Sequence, residues 1–144
     1  MAKAQLTAGM TIDGFQLEER LHRGGMADIW RVRRNDVDFP VIMKVPLLDF
    51  EGDISLLVGF EVEQMIMAEV RGPHVPRWVA NGDFAVQPYI VMEYVDGPTL
   101  LKRYFDRVAP VSDVMTVGIA VAAALADLHH QHVLHLDLKP ANIL

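Results

Sequence analysis

The apolar residues of this sequence change their spacing at residues 96–98, Asp-Gly-Pro, and this change limits the folds open to the chain. Before the break, short apolar runs of strand length alternate with turn residues, apart from one inserted helical segment. After the break, apolar residues recur at helical spacing. Strands followed by helices indicate the α+β class, with a boundary close to the Asp-Gly-Pro break.

Five strands and one inserted helix are predicted in the first part of the chain. The strands are residues 15–21, 29–33, 41–45, 78–84 and 89–94, and the helix is residues 55–70. Short turns join the first three strands, which is typical of an antiparallel meander. In the second part, Thr99 is predicted to cap a short helix, and Ser112 or Asp113 to cap a long helix over residues 114–130.

The composition excludes several classes of protein. The chain has 144 residues, 51% of them hydrophobic, which is enough for a packed core and argues against disorder. Its net charge of −6 argues against nucleic acid as a partner, because phosphate binding needs a basic face. The absence of cysteine excludes disulfides, and we expect a cytoplasmic location. The most apolar stretch, residues 114–126, is too short to span a bilayer, so no membrane segment is expected.

The segment HLDLKPANIL, residues 135–144, concentrates polar groups among apolar residues. Pro140 excludes a continuous α-helix between Asp137 and Asn142, so both are expected on an irregular loop. Such a carboxylate accepts a hydroxyl proton, such an amide oxygen ligates a hard metal ion, and Lys139 supplies positive charge to a phosphoryl group. The alternative is a turn in which both side chains bond the backbone.

Lys44 lies inside the apolar strand VIMKV, where a buried lysine is costly unless it is paired. Two glutamates of the inserted helix, Glu61 and Glu63, are available as partners. Upstream, Gly24 and Gly25 lie in the turn between the first two strands, and glycines there let backbone N–H groups approach phosphates. A simple hairpin turn is the alternative for that segment.

Taken together, LHRGGMADIW, VIMKV, FEVE, YIVMEYVDGPTL and HLDLKPANIL resemble the bacterial members of the eukaryotic-like serine/threonine protein kinases. The segments occur in the family's order over residues 12–144. The resemblance implies a protein-kinase-like fold with a five-stranded antiparallel small lobe and one inserted helix over residues 12–95, after an N-terminal extension at residues 1–11. The hinge end and the first helices of an incomplete helical large lobe, through the catalytic loop, would then occupy residues 96–144.

The resemblance also implies which residues of the small lobe bind ATP. Gly24 and Gly25 would cover the phosphates, and Ile29 would lie over the adenine ring. Lys44 would hold the α- and β-phosphates and pair with Glu63, which the resemblance favours over the other glutamate.

For the remaining positions, the resemblance implies an ATP-dependent protein serine/threonine kinase with Mg²⁺ as cofactor and a protein hydroxyl as substrate. Asp137 would accept the hydroxyl proton, Lys139 would steady the γ-phosphate and Asn142 would bind Mg²⁺. The hinge contacts to adenine would come from Met92 as the gatekeeper and from the backbone of Glu93 and Val95.

Three positions depart from the family pattern. Leu136 stands where the family has an arginine that pairs with a phosphorylated activation loop, so control by that route is not expected. His22 and Ala27 replace glycines of the phosphate loop, which predicts weaker or differently shaped nucleotide binding. A metal-binding D-F-G aspartate is expected beyond Leu144, so the chain alone should be inactive and should self-associate through its unfinished large lobe. The alternative function is a pseudokinase-like nucleotide-binding or scaffolding module.

Overall fold

The computed structural model describes residues 6–47 and 54–144, and within these it contains six strands, three α-helices and one 3-10 turn. The strands are β1 (Thr11–Ile12), β2 (Phe15–Arg23), β3 (Ala27–Arg33), β4 (Val41–Pro46), β5 (Trp78–Asn81) and β6 (Ile90–Glu93). The α-helices are α1 (Ile54–Glu69), α2 (Leu100–Arg103) and α3 (Val111–His130), and the 3-10 turn is Pro140–Asn142.

The chain divides into two compact units, and each is described by itself. The first unit comprises Met1–Glu69 and Pro76–Tyr94, and it holds the sheet and α1. The second comprises Val70–Val75 and Val95–Leu144, and it holds α2, α3 and the 3-10 turn.

The sheet has the strand order β1-β2-β3-β4-β6-β5, and each neighbouring pair is antiparallel. The predicted meander of β2, β3 and β4 is confirmed. The chain then passes through α1 to the edge strand β5 and returns through β6, which pairs with β4. This order places β6 in the interior of the sheet, between β4 and the edge.

The core of the first unit lies on one face of the sheet. Trp30, Met43 and Val91 are aligned across β3, β4 and β6, and all three are buried. Because successive side chains of a strand point to opposite faces, the residues between these core positions lie on the other face. That other face carries the polar and partly exposed positions described below.

The number and the bounds of the strands differ from the prediction. The described residues form six strands rather than five, because Thr11–Ile12 adds a two-residue strand that is too short to show alternation. β2 continues to Arg23, past two register shifts in its pairing with β3. The predicted strand 78–84 ends at Asn81.

The helices agree with the prediction except at the start of α3. Thr99 caps α2 as predicted, and its hydroxyl accepts a hydrogen bond from the N–H of Lys102 at 3.2 Å. The predicted cap at Ser112 or Asp113 is wrong, because α3 begins at Val111, after Pro110 and without a side-chain cap. Pro110 has a φ of −58°, which suits the entry of a helix where no backbone N–H is required.

Candidate active site

Lys44 and Glu63 form an ion pair in the first unit, as predicted. The Nζ atom of Lys44 lies 2.5 Å from Oε1 and 2.7 Å from Oε2 of Glu63, so the lysine donates to both oxygens. Glu61, the alternative partner, is exposed. The Phe60 ring is buried with its centroid 5.8 Å from Nζ, which adds a cation–π contact. The side chains of the pair remain 27% and 38% exposed, so the pair is open to a ligand.

The face of the sheet that carries Lys44 also carries Ile29 and Met92. Ile29 is the cross-strand partner of Lys44, and Ile42 is the partner of Met92. Cross-strand partners share a face, and so do residues two apart in one strand. Three residues predicted to contact the nucleotide therefore lie on one face, opposite the core.

Glu93 lies on the opposite face from Met92 and binds Arg77. Its carboxylate accepts hydrogen bonds from the Arg77 guanidinium at 3.1 and 3.2 Å, and its backbone N–H donates to the Arg77 carbonyl at 2.8 Å. The side-chain hydrogen bond from Arg77 lowers the pKa of the Glu93 carboxyl group. Because its N–H is engaged, the carbonyl is the backbone group of Glu93 left for the predicted contact to adenine. Val95 is 40% exposed and belongs to the second unit.

Gly24 and Gly25 form the turn between β2 and β3. The N–H of Gly24 donates to the carbonyl of Ala27 at 3.0 Å, which closes the turn. A Cβ atom on Gly24 would lie 3.3 Å from that carbonyl oxygen and 3.5 Å from Nε2 of His22, so the chain is tightly folded here. A Cβ atom on Gly25 would meet no atom of the described residues within 4 Å. The backbone at Gly25 is therefore open, as a phosphate-covering turn requires.

Asp137, Lys139 and Asn142 converge in the second unit. The Nζ atom of Lys139 lies 2.8 Å from Oδ2 of Asp137. The amide nitrogen of Asn142 donates to the same oxygen at 3.0 Å and to the Asp137 carbonyl at 2.9 Å. Within residues 6–47 and 54–144, no hydrogen bond reaches the other oxygen, Oδ1. That oxygen is therefore available to accept a proton from a hydroxyl group.

Two local turns produce this convergence. The N–H of Asp137 donates to the carbonyl of His135 at 2.8 Å, across Leu136, whose φ is 57°. This is a γ-turn with positive φ, a conformation that strains a leucine backbone. Pro140 then begins the 3-10 turn that ends at Asn142, where a proline is tolerated in the first position. The predicted irregular loop thus consists of two short turns that aim their side chains at each other.

The contact with Lys139 lowers the pKa of Asp137. The hydrogen bond from Lys139 is the largest cause, and the bond from Asn142 is the second. Both donors stabilise the charged carboxylate. Asp137 is therefore ionised at neutral pH, which is the state that a proton acceptor needs.

The described residues provide an incomplete magnesium site. The amide nitrogen of Asn142 is bonded to Asp137, which leaves the amide oxygen as a metal ligand. In the described part of the chain, no group of three or more histidine, aspartate or glutamate side chains could hold a metal ion. Protein magnesium sites use one or two carboxylates together with phosphate oxygens, so this neutral oxygen does not fit the ion by itself.

Comparisons with known proteins identify the family. The family model described as "Protein kinase domain" matches residues 15–144. The chain belongs to the protein kinase domain family. The Lactococcus lactis protein named "Probable serine/threonine-protein kinase PknB" is 36% identical over 92% of this chain. The "Serine/threonine-protein kinase PknF" of Mycobacterium tuberculosis is 32% identical over 96% of it. The chain spans 21% and 30% of the lengths of these two relatives.

Solved structures show the same fold. The crystal structure of the Mycobacterium tuberculosis PknI kinase domain is 29% identical to this chain, with a TM-score of 0.81. The match covers 96% of this chain and 57% of that kinase domain. The predicted protein-kinase-like fold is therefore confirmed, and the chain spans somewhat more than half of a solved kinase domain.

The kinase family match also bears on α3. Among the described residues, α3 is the one helix that is long and apolar enough to cross a membrane, and it extends beyond the stretch 114–126 at both ends. Length and composition alone are weak evidence for a membrane span. Since α3 lies inside the kinase domain match, we interpret it as a helix of that domain.

Gln64 is a buried residue of the first unit that sequence reasoning missed. It is only 6% exposed, and its side-chain amide donates to the Tyr89 carbonyl at 2.8 Å. A glutamine beside Glu63 and close to Glu61 looks like part of a solvated helix face. The one available signal was its spacing of four residues from Phe60, which places both on one side of α1.

Proposed function

We propose that this chain carries part of the active site of an ATP-dependent protein serine/threonine kinase. The observation that carries the proposal is the arrangement around Asp137. Its carboxylate is held through one oxygen by Lys139 and Asn142, while the other oxygen accepts no hydrogen bond from any described residue. Membership of the protein kinase domain family and the names of the relatives support the same reaction.

In the proposed reaction, Oδ1 of Asp137 accepts the proton of a serine or threonine hydroxyl on a protein substrate. The hydroxyl oxygen forms a bond to the γ-phosphorus of ATP, and the bond from that phosphorus to the bridging oxygen of ADP breaks. Lys139 offsets charge on the γ-phosphoryl group, and Lys44, held by Glu63, binds the α- and β-phosphates. Magnesium neutralises phosphate charge when it is bound with ATP, and Asn142 is its proposed ligand from this chain.

The other nucleotide contacts, the domain bounds and the partners are proposals of the same kind. The proposed bounds are an extension at residues 1–11, a small lobe at 12–95 and a partial large lobe at 96–144. The proposed partner is a protein with an accessible serine or threonine, not a nucleic acid, in the cytoplasm. The proposed ATP contacts are Gly24, Gly25, Ile29, Met92, Glu93 and Val95.

The substitution Asp137→Asn tests the catalytic proposal. Phosphate transfer from ATP and Mg²⁺ to a generic serine- and threonine-containing substrate would be measured with the full-length gene product. We expect Asp137→Asn to lower kcat by about 10²–10⁴-fold, since the proton acceptor is lost. Asp106→Asn is the matched control, because Asp106 is also an exposed aspartate of the second unit. Equal activity of the wild type and a folded Asp137→Asn variant would contradict the proposal.

A pseudokinase-like module that binds nucleotide or a partner without catalysis is the second candidate. The specific observation in its favour is the neutral amide of Asn142, the one metal ligand proposed among the described residues. Thermal-shift titration with ATP, with and without Mg²⁺, separates the two. If ATP stabilises the protein only when Mg²⁺ is present, the kinase is favoured. If ATP does not stabilise the protein with or without Mg²⁺, the scaffold is favoured.

A further inference from the structure

The geometry of the Lys44–Glu63 pair depends on where α1 lies against the sheet. The pair is partly exposed, so burial does not hold the two side chains together. Among the α1 side chains that the structure describes, Phe60 and Gln64 are the buried ones. Phe60 makes apolar contact, which is non-directional, whereas the hydrogen bonds of Gln64 are directional. Of these two buried side chains, Gln64 is therefore the one that fixes the position of α1 relative to the sheet.

Gln64 is attached to the sheet through both its side chain and its backbone. The side-chain nitrogen donates to the carbonyls of Tyr89 at 2.8 Å and of Gly82 at 3.3 Å. The side-chain amide of Asn81 donates in return to the backbone carbonyl of Gln64 at 3.0 Å. The indole N–H of Trp78 donates to the Asn81 side chain at 2.9 Å and fixes its orientation.

These contacts close a ring that contains the ion pair. Tyr89 directly precedes Ile90, and Ile90 is the cross-strand partner of Lys44. Tyr89 in turn accepts the hydrogen bond from Gln64. Glu63, the chain neighbour of Gln64, binds the Nζ atom of Lys44 and closes the ring. A closed ring of short contacts leaves little freedom for the carboxylate to move relative to the lysine.

Gly82 permits the close approach on which the ring depends. A Cβ atom there would lie 2.2 Å from the carbonyl oxygen of Gln87 and 2.4 Å from the ring of Tyr89. The N–H of Gly82 donates to the same Tyr89 carbonyl that accepts from Gln64, at 2.9 Å. A single carbonyl thus joins the β5–β6 connection to α1.

We infer that Gln64 is a positioning residue, which acts through Glu63 to hold that carboxylate on Lys44. The inference deepens the proposed function and rests on it for its biological meaning, because Lys44 and Glu63 are proposed there as the phosphate-binding pair. Its structural content, the dependence of the ion pair on Gln64, is open to direct measurement without any assay of phosphate transfer.

The test measures the reactivity of the Lys44 amine in the full chain. An amine-acetylating reagent is applied, and the rate at Lys44 is read by mass spectrometry against the exposed Lys102. Gln64→Glu keeps the size of the side chain but turns a carboxylate toward two carbonyl oxygens. We expect Glu63→Gln and Gln64→Glu each to raise the rate at Lys44 about tenfold, since a hydrogen-bonded charge pair is released.

The double variant, Glu63→Gln with Gln64→Glu, distinguishes a positioning role of Gln64 from a general loss of stability. If Gln64 acts through Glu63, the double variant labels Lys44 no faster than Glu63→Gln alone. The control is Gln16→Glu, the same chemical change at a side chain whose oxygen accepts from Arg33, where a carboxylate is tolerated. The control should leave the rate at Lys44 unchanged.

The inference would be overturned if Lys44 of a folded Gln64→Glu variant were acetylated at the wild-type rate. It would also be overturned if the rate increases of the two single variants multiplied in the double variant. If Gln64→Glu does not fold, Asn81→Ala, which removes the bond to the Gln64 carbonyl, is judged by the same criteria. The variants could raise the labelling rate of Lys44 as expected while the wild-type protein transfers no phosphate. That result would support the positioning role of Gln64 and would contradict only the proposed kinase activity.

Discussion

At the scale of single residues, Asp137 divides its two oxygens between two tasks. Oδ2 accepts from Lys139 and Asn142, while Oδ1 receives no hydrogen bond within the part of the chain that the structure describes. Because both donors favour the charged form, the pKa of Asp137 lies below its ordinary value of 3.8. The same contacts therefore orient the carboxylate and keep it ionised, so that one cluster controls both the position and the protonation of the proposed proton acceptor.

Lys139→Met should raise the pKa of Asp137 toward its ordinary value, since it removes the largest cause of the lowering. The carboxylate contributes stability above its unfolded pKa, and this contribution is lost as the pH falls through the lowered folded pKa. In the variant the folded pKa lies closer to the unfolded pKa, so the contribution should be smaller and its loss should be complete at a higher pH. The measurement is an NMR titration of the Asp137 carboxyl carbon. Lys102→Met, at another exposed lysine of the second unit, is the control, and an equal pKa in both variants would refute the assignment.

Leu136 should tolerate glycine better than its neighbour Leu138. Leu136 has a φ of 57°, where a Cβ atom costs free energy, whereas Leu138 is not among the positive-φ residues. Leu136→Gly relieves that strain, while Leu138→Gly adds chain entropy to the unfolded state and also removes a side chain that is 47% exposed. We expect the free energies of unfolding of the two variants to differ by about 1–2 kcal/mol in urea titrations. Equal destabilisation would show that the γ-turn is unstrained.

Some site residues could be predicted from the sequence because their type does not fit the local pattern of apolar and polar residues. Lys44 stood out as a charge in an apolar strand, and its need for a partner pointed to the glutamates of α1. Gln64 broke no rule, because an amide beside a carboxylate on a helix is ordinary. Its burial follows from the approach of the β5–β6 connection, which is a tertiary contact that no local pattern records.

At the scale of elements, the connection between β5 and β6 depends on Gly82. Gly82→Ala should destabilise the first unit by about 1–3 kcal/mol, because the new methyl group overlaps a backbone oxygen and the Tyr89 ring. Gly59→Ala is the matched control, since a Cβ atom there meets no described atom within 4 Å. Within α1 that change should stabilise by about 0.5–1 kcal/mol. Thermal unfolding followed by circular dichroism measures both, and a neutral Gly82→Ala would contradict the packing described.

The order of the elements could be read from the sequence, but some of their ends and their sheet positions could not. The strand-length apolar runs and the helical spacing of α1 gave the correct succession, because each repeats over several residues. β1 has only two residues, Thr11 and Ile12, and is held by its pairing with β2. The entry of β6 beside β4 depends on long-range pairing, and the start of α3 depends on Pro110 rather than on a capping side chain.

At the scale of the whole molecule, α3 presents an apolar surface in the second unit. Val111, Met115 and Ile119 are spaced four residues apart and so share one side of the helix, and each is more than 60% exposed. Exposed apolar patches of this kind favour association. The 144-residue chain should therefore self-associate as its concentration rises.

Sedimentation velocity over a range of concentrations tests this expectation. Met115→Glu should raise the dissociation constant of self-association about tenfold or more, because a carboxylate would be buried at the contact. Val86→Glu, at an exposed apolar residue of the first unit, should not change it. A chain that stays monomeric at all concentrations would refute the expectation, and an equal effect of both substitutions would place the contact elsewhere.

The interior position of β6 has a consequence for the order in which the protein is made. β2, β3 and β4 are synthesised before β6, so the second edge of β4 has no partner strand until Ile90–Glu93 are synthesised. At about 5–20 residues per second, that edge is exposed for on the order of seconds. An open strand edge invites pairing with a neighbouring nascent chain, and a lysine in the strand opposes such pairing. We therefore expect Lys44 to disfavour such pairing during synthesis, in addition to its proposed role in binding nucleotide.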